Sequence, residues 1–158
     1  MNNLVIAFDL GGVVVSSGFQ RFIKYLSNNL KLNIDEFIVQ LIELMDKLDC
    51  GKISEKDCFK KICKVIYVNE NKWKTYRNKY YSGFELHKDV IKLIGKLRKK
   101  YRIGLISNIA NGDWNYINNK FKLAKNFDFL ILSFKVGDIK PHKKIYLELL
   151  KETKGKHC

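Results

Sequence analysis

The sequence predicts an α/β fold in which a three-layer parallel sheet carries an inserted block of helices. Apolar runs span residues 4–8, 103–106 and 127–132, and only the last contains a charged residue, Asp128. Runs without polar alternation are typical of parallel strands that are buried on both faces. Amphipathic helical patterns separate the runs, and this alternation favours a parallel sheet with right-handed crossovers. A long helical region, about residues 19–81, lies between the first two runs.

The helices are predicted from apolar spacing and from capping residues. Inside the long helical region, one helix is expected after the candidate cap Asn33 and another after the N-cap Ser54. A later helix is expected to end in the basic turn at residues 98–100, where cations suit the helix dipole. A final helix is expected over residues 143–151, just after Pro141, the only proline of the chain.

Composition indicates one domain with an insertion and argues against a nucleic-acid partner. The chain has 158 residues, 46% of them hydrophobic, which is enough for a substantial core. Its net charge of +14 invites a nucleic-acid function. However, only four of the 30 basic residues are arginine, the side chain best suited to reading phosphate and guanine. We therefore discount nucleic-acid binding.

The apolar runs and the cysteines predict a cytoplasmic protein. No apolar run approaches the roughly 18 residues of a membrane-spanning helix. Asp9 interrupts the first run where the core of a signal peptide would continue. The four cysteines show neither CxxC spacing nor zinc-ligand spacing with the three histidines. We expect reduced thiols and no membrane partner.

Three reactive side chains are predicted to meet at the carboxyl ends of the strands. Asp9 directly follows the first strand, Ser107 ends the second, and Lys140 lies in the loop after the third. Ligands of open parallel sheets bind at this edge, so an acid, a hydroxyl and an amine are expected in one crevice. Each residue alone is more often a turn, a cap or a surface residue. Their combination at successive strand ends is what indicates a site.

This combination of groups suits phosphoryl transfer. A carboxylate such as Asp9 can attack phosphorus and form an aspartyl-phosphate that water then hydrolyses. The backbone of Gly11 and Gly12 can cradle an anion. A hydroxyl and an amide N–H can bond to phosphate oxygens, and an ammonium can neutralise both the nucleophile and the phosphate. These last contacts are expected from Ser107, Asn108 and Lys140.

Three segments carry a family resemblance. The stretches FDLGGVV, GLISN and KVGDIKPHKKIY, at residues 8–14, 104–108 and 135–146, resemble the first three motifs of the haloacid dehalogenase-like hydrolases. They occur in the family's order, and the resemblance extends over essentially the whole chain. The helical insert looks like the family's α-helical cap, and DCGKISEKDCF, at residues 49–59, is typical of such caps.

The resemblance implies a fold and an activity. A Rossmann-like core is expected at residues 1–15 and 86–158, with the cap at residues 16–85. The implied enzyme is a magnesium-dependent phosphatase in which Asp9 is both nucleophile and metal ligand. Lys140 would orient and neutralise the phosphate, and the cap would select a small phosphorylated substrate.

The first motif departs from the family's common form. A second aspartate, the general acid and base, is expected two residues after the nucleophile, where this chain has Gly11. The resulting DLG sequence is similar to a branch that includes sugar-phosphate phosphatases. The backbone carbonyl of Gly11 remains a candidate metal ligand, as the carbonyl of the family's second aspartate is.

The family's fourth motif, which supplies acidic magnesium ligands, is not found before the sequence ends at Cys158. We therefore expect a C-terminal truncation, weak Mg²⁺ binding, and at most Asp138 as a substitute ligand. The first strand would then be an exposed apolar edge that invites self-association. An impaired remnant or a non-catalytic binding module remains the alternative to an active phosphatase.

Overall fold

A computed structural model describes residues 4–153 and contains a three-stranded parallel sheet. The strands are β1 (Val5–Phe8), β2 (Arg102–Ser107) and β3 (Phe129–Leu132), hydrogen-bonded in the order β1-β2-β3. The predicted α/β class and the Rossmann-like parallel sheet are confirmed. The residues with which the chain ends, 154–158, lie outside the described range, and so does the predicted truncation.

Four helices lie between β1 and the rest of the core. Ser17 caps the first by accepting a hydrogen bond from the Gln20 N–H at 3.3 Å. Ser54, as predicted, accepts from the Asp57 N–H at 3.1 Å and begins the third. The four helices are α1 (Gly18–Leu30), α2 (Ile38–Asp49), α3 (Glu55–Val65) and α4 (Trp73–Ser82), with 3-10 turns at Ile34–Glu36 and Glu70–Lys72. These four helices are called the helical insert below.

The prediction that Asn33 caps a long helix is wrong. Asn33 precedes only the 3-10 turn, and its side-chain amide donates to Glu36 Oε1 at 3.0 Å. The side-chain oxygen of Asn33, the atom that would form a cap, accepts no hydrogen bond from a backbone N–H of this turn. Helix α2 begins five residues after Asn33, at Ile38, without a side-chain cap.

The core contributes four further helices, two of which sequence patterns missed. They are α5 (Lys88–Leu97), α6 (Asn111–Phe121), α7 (Ser133–Val136) and α8 (Lys143–Thr153). Helix α6 was not predicted because a buried aspartate, Asp113, interrupts its short apolar stripe of Trp114 and Ile117. Helix α7 occupies the start of a segment expected to be a loop, and Gly137 ends it at φ +73°.

The helical insert joins the core through two chain segments that pair with each other. Val15 forms an antiparallel bridge with Leu86, and the Ser16 N–H donates to the Glu85 carbonyl at 2.9 Å. The Ser16 hydroxyl donates to the Gly83 carbonyl at 2.6 Å and accepts from the Glu85 N–H at 2.9 Å. The predicted boundaries of the cap fall in this connection and stay a prediction.

One apolar cluster runs from the helical insert to the sheet. In the insert, Phe22 meets Phe59 and Tyr80 edge to face, with ring centroids 6.2 and 5.9 Å apart. In the sheet, Ile103 and Leu105 of β2 are completely buried. Strand β1 is an edge of the sheet within residues 4–153, and self-association through it stays a prediction.

Two glycine substitutions test this packing. In Gly104→Ala, the new methyl group would lie within the Phe129 ring on the neighbouring strand, so we expect a destabilisation of about 1–3 kcal/mol from overpacking. In the matched control Gly95→Ala, the methyl group meets no atom within 4 Å and lies inside helix α5. That variant should be more stable than wild type by about 0.5–1 kcal/mol. Urea unfolding midpoints measure both, and equal effects would contradict this packing.

Candidate active site

The carboxyl ends of the strands bring Asp9 and Lys140 together. Asp9 is the first residue after β1, and Lys140 lies between α7 and α8. Lys140 Nζ is 2.8 Å from Asp9 Oδ1, and the Asp9 side chain is 44% exposed. Both hydrogen-bonding contacts of the carboxylate involve Oδ1, since the Leu10 N–H also donates to it, at 2.7 Å. Asp9 is therefore open to solvent on one side and held by a cation on the other.

The Asn108 side chain holds the backbone of Lys140. Its amide donates to the Lys140 carbonyl at 3.0 Å, and its oxygen accepts from the Lys140 N–H at 2.7 Å. Lys140 Nζ also donates to the Ile106 carbonyl at the end of β2, at 3.3 Å. These contacts fix the ammonium relative to the strand end. Asn108 was predicted to bind phosphate through its backbone N–H, and that role stays a prediction.

The glycine loop after Asp9 is tightly wound. Gly12 has φ +79°, a conformation that a residue with a Cβ atom adopts only at a cost in strain. Its N–H donates to the Val15 carbonyl at 2.7 Å, so this donor is used inside the loop. A Cβ atom at Gly11 or Gly12 would meet nothing within 4 Å, which leaves open space beside the loop. The proposed contact of Gly12 with substrate remains untested by this geometry.

Two serines lie at neighbouring strand ends with different roles. Ser107 is 2% exposed, and its hydroxyl donates to the Asn108 carbonyl at 3.2 Å. Ser133, which the sequence patterns did not single out, accepts from the Ile109 N–H at 2.8 Å and donates to the Asp49 carbonyl at 2.7 Å. Ser133 thereby ties the loop after β2 to the end of helix α2 in the helical insert.

The donors present fit a hydrated magnesium ion with few protein ligands. Mg²⁺ commonly keeps several waters and takes one or two carboxylates together with substrate phosphate oxygens. Asp9 leaves Oδ2 free of hydrogen bonds to residues 4–153, and the Gly11 backbone is adjacent. Asp138 Oδ1 contacts His142 Nδ1 at 2.7 Å, and this hydrogen bond lowers the pKa of Asp138, whose use as a substitute ligand stays a prediction. Residues 4–153 contain no cluster of three or more His, Cys, Asp or Glu side chains that would bind a metal alone.

A cavity of about 200 Å³ opens between the helical insert and the strand ends, and it is called the insert–core cavity below. One end is lined by Gly11, Ser107 and Asn108, next to the Asp9–Lys140 pair. The wall formed by α2 and α6 carries three aspartates that sequence analysis missed, Asp46, Asp49 and Asp113. One signal for Asp113 was available, since a carboxylate stands on the apolar face of helix α6.

Burial changes the protonation of these aspartates. Removal from water raises the pKa of Asp113 to about 7, although the hydrogen bond from the Tyr80 hydroxyl, 2.8 Å long, opposes the shift. The pKa of Asp49 is raised well above its usual range, first by burial and then by the nearby charge of Asp113. The insert–core cavity therefore holds carboxyl groups whose ionised forms are energetically unfavourable.

A parallel sheet with a helical insert, and with an aspartate and a lysine paired at the strand ends, is the arrangement expected of an α/β hydrolase. The sequence agrees, because residues 6–157 match the family model of the haloacid dehalogenase-like hydrolases. The chain belongs to that family, as the three motifs indicated. No match was found among the curated proteins.

Solved structures of family members share the fold. A family enzyme from Bacteroides thetaiotaomicron, crystallised with magnesium and inorganic phosphate, aligns with a TM-score of 0.75 at 23% identity, over 95% of this chain and 78% of that one. A predicted hydrolase of the family from Porphyromonas gingivalis gives 0.67 at 23% identity, covering 96% and 77%. The L-2-haloacid dehalogenase from Xanthobacter autotrophicus, with chloropropionic acid covalently bound, gives 0.64 at 14% identity, covering 96% and 65%.

The buried Asp113 should make stability depend on pH. Between its ordinary pKa of 3.8 and about 7, the folded state binds more protons than the unfolded state, so the free energy of unfolding falls as pH rises. Asp113→Asn removes this cost and keeps an acceptor for Tyr80. Its stability relative to wild type should rise between pH 4 and 7 by up to about 1.4 kcal/mol per unit of the shift, then level off.

Urea unfolding of wild type and Asp113→Asn at pH 4 to 8 measures this difference. Asp89→Asn, at a side chain that is 96% exposed, serves as the control and should differ from wild type equally at every pH. A difference between Asp113→Asn and wild type that is independent of pH would contradict the burial of an ionisable Asp113.

Proposed function

We propose that this chain hydrolyses the phosphomonoester of a small metabolite through an aspartyl-phosphate on Asp9. The observation that carries the proposal is the half-exposed Asp9 carboxylate at a strand end, which is paired with Lys140. The side chain of Asn108 holds Lys140 in place through hydrogen bonds to its backbone N–H and carbonyl. The family membership and the relative crystallised with inorganic phosphate support phosphate as the group transferred. The cytoplasmic location expected from the sequence is part of this proposal; no helix within residues 4–153 has the length and apolar character to cross a membrane.

The proposed first step is an in-line displacement. An oxygen of the Asp9 carboxylate attacks phosphorus, a bond from Asp9 to phosphorus forms, and the bond from phosphorus to the ester oxygen breaks. The departing alkoxide takes a proton from water or from the substrate itself, because Gly11 has no side chain to supply one. Water then attacks phosphorus, which releases inorganic phosphate and restores the carboxylate.

Charge decides whether the first step is feasible. A phosphate dianion about 4 Å from a carboxylate is repelled by about 4 kcal/mol per pair of charges at an effective dielectric of about 20. Two such pairs give about 8 kcal/mol, and one ammonium at a similar distance from the dianion offsets about the same amount. Lys140 provides that ammonium 2.8 Å from Asp9, and the hydroxyl of Ser107 stands at the neighbouring strand end.

Magnesium is the proposed cofactor. Asp9 and the Gly11 carbonyl would hold the ion with waters and a phosphate oxygen, and the bound ion would supply charge neutralisation and orientation. Relatives with this fold are crystallised with magnesium, which supports the choice. The same carboxylate would attack carbon in a dehalogenase, and a dehalogenase is among the relatives, so a 2-haloacid belongs in the substrate panel.

Removing the nucleophile should abolish turnover. Wild-type protein with Mg²⁺ is expected to release phosphate from a generic phosphoester, whereas Asp9→Asn should lose on the order of a thousandfold or more of this rate. The control Asp89→Asn removes one exposed carboxylate on helix α5 and should keep the wild-type rate. A phosphate-release assay measures all three, and thermal unfolding verifies that each is folded.

Two results would contradict the proposal. Full activity in Asp9→Asn would exclude this carboxylate as the nucleophile. No phosphate release from wild type on any phosphoester, with or without Mg²⁺, would favour the alternative of a non-catalytic binding module. Chloride release from a 2-haloacid without phosphate release would instead assign the site to dehalogenation.

A further inference from the structure

The insert–core cavity has the opposite charge from the rest of the molecule. The chain carries 30 Lys and Arg side chains against 16 Asp and Glu, for a net charge of +14. Among residues 4–153, the cavity is nevertheless lined by Asp46, Asp49 and Asp113 and by no lysine, arginine or histidine. Three carboxylates without a basic residue, in so basic a chain, point to a ligand that brings its own positive charge.

One carboxylate in this wall is left unsatisfied. Asp113 is 2% exposed, and its Oδ2 accepts from the Tyr80 hydroxyl at 2.8 Å. The neighbouring Tyr81 hydroxyl donates to Glu55, and its proximity to Asp113 also lowers the pKa of Asp113. Asp113 Oδ1 is buried and has no hydrogen-bond partner within residues 4–153. A buried acceptor without a donor is energetically unfavourable, so a ligand that donates a hydrogen bond to this oxygen would bind more tightly.

The two ends of the cavity match the two ends of a small substrate. Gly11, Ser107 and Asn108 line one end, next to Asp9 and Lys140, where a phosphate would be attacked. The aspartates of α2 and α6 lie along the rest, among apolar side chains. At about 200 Å³ the cavity is smaller than the roughly 300–1,000 Å³ of sites for drug-sized ligands, so it suits a leaving group of few atoms.

We propose that the insert–core cavity binds a protonated amine on the leaving group, so that the preferred substrates are short aminoalkyl phosphates. The proposal rests on the phosphatase function argued above. A protonated amine brings several N–H donors and a full positive charge, so it supplies Asp113 Oδ1 with a donor and relieves the repulsion between Asp49 and Asp113. A hydroxyl would supply one donor and leave that repulsion in place. Burial raises the pKa of both Asp46 and Asp49, and the nearby His142 partly opposes the shift at Asp46.

Three phosphoesters of equal length distinguish the occupants. They are 3-aminopropyl phosphate, 3-hydroxypropyl phosphate and butyl phosphate, compared by kcat/KM at pH 8, where Asp113, with a pKa of about 7, is ionised. We expect the amine to exceed both others by about tenfold or more, the effect of one charge-assisted hydrogen bond. In Asp49→Asn and in Asp113→Asn, made separately, this preference should fall towards one. In Asp89→Asn, which is remote from the cavity, the preference should be unchanged.

The outcomes separate this inference from the function on which it rests. Equal kcat/KM for the three esters, or a preference that survives in both cavity variants, would overturn the amine subsite while leaving the phosphatase standing. A hydroxyl preference would overturn it in favour of a polyol ligand. If no ester is hydrolysed, the phosphatase function fails, and calorimetric binding of the same three esters decides the subsite. Tighter binding of the amine, weakened in either Asn variant, would support it, and equal binding would overturn it. Thermal unfolding checks that both variants fold.

Discussion

The parallel pairing of three short strands is the constraint on which the rest of the structure depends. Because β1, β2 and β3 run in one direction, their carboxyl ends share an edge, and residues far apart in sequence meet there. Asp9 and Lys140 are separated by 131 positions, 140 − 9, yet their charged atoms lie 2.8 Å apart. The pairing of Lys140 with Asn108 then depends on β2 and β3 being in register at that edge. A slip of one residue in either strand would turn these side chains to the wrong face.

The helical insert is fastened to this edge by polar contacts of two kinds. At its base, the Ser16 hydroxyl closes the two connecting segments against Gly83 and Glu85. Over the site, Ser133 reaches the end of α2, and Tyr80 of α4 reaches Asp113 of α6. The contacts at the base are fully hydrogen-bonded, whereas Asp113 keeps one oxygen unpaired within the part of the chain described. The unsatisfied group lies where the insert faces the sheet, which is where a ligand would bind.

Sequence patterns predicted the parts of the fold that periodicity controls. The three apolar runs became the three strands, and Ser54 became a helix cap. Asn33 failed as a cap because the chain after it forms only a 3-10 turn, in which its side-chain oxygen accepts no backbone N–H. Helix α6 escaped prediction because a buried carboxylate occupies its apolar face, which weakens the apolar pattern. The positions of the strand ends therefore predicted the Asp9–Lys140 pair. The aspartates of the insert–core cavity could not be predicted in this way, because they meet only through contacts between helices that are distant in sequence.

Burying the three aspartates of the insert–core cavity costs free energy of folding. Desolvation pushes the pKa of Asp113 to about 7 and raises the pKa values of Asp46 and Asp49 as well, so the empty cavity is held at the expense of stability when these groups ionise. Packing alone would be better served by apolar side chains of similar size, because a buried ion without a partner is strongly unfavourable. Lys140 neutralises charge at one end of the cavity, and within residues 4–153 no basic side chain lines the other end. A site with a cation at one end and carboxylates at the other is complementary to a molecule that carries a phosphate and an ammonium a few bonds apart. Such a ligand would satisfy both ends together, and a neutral leaving group would satisfy only the first.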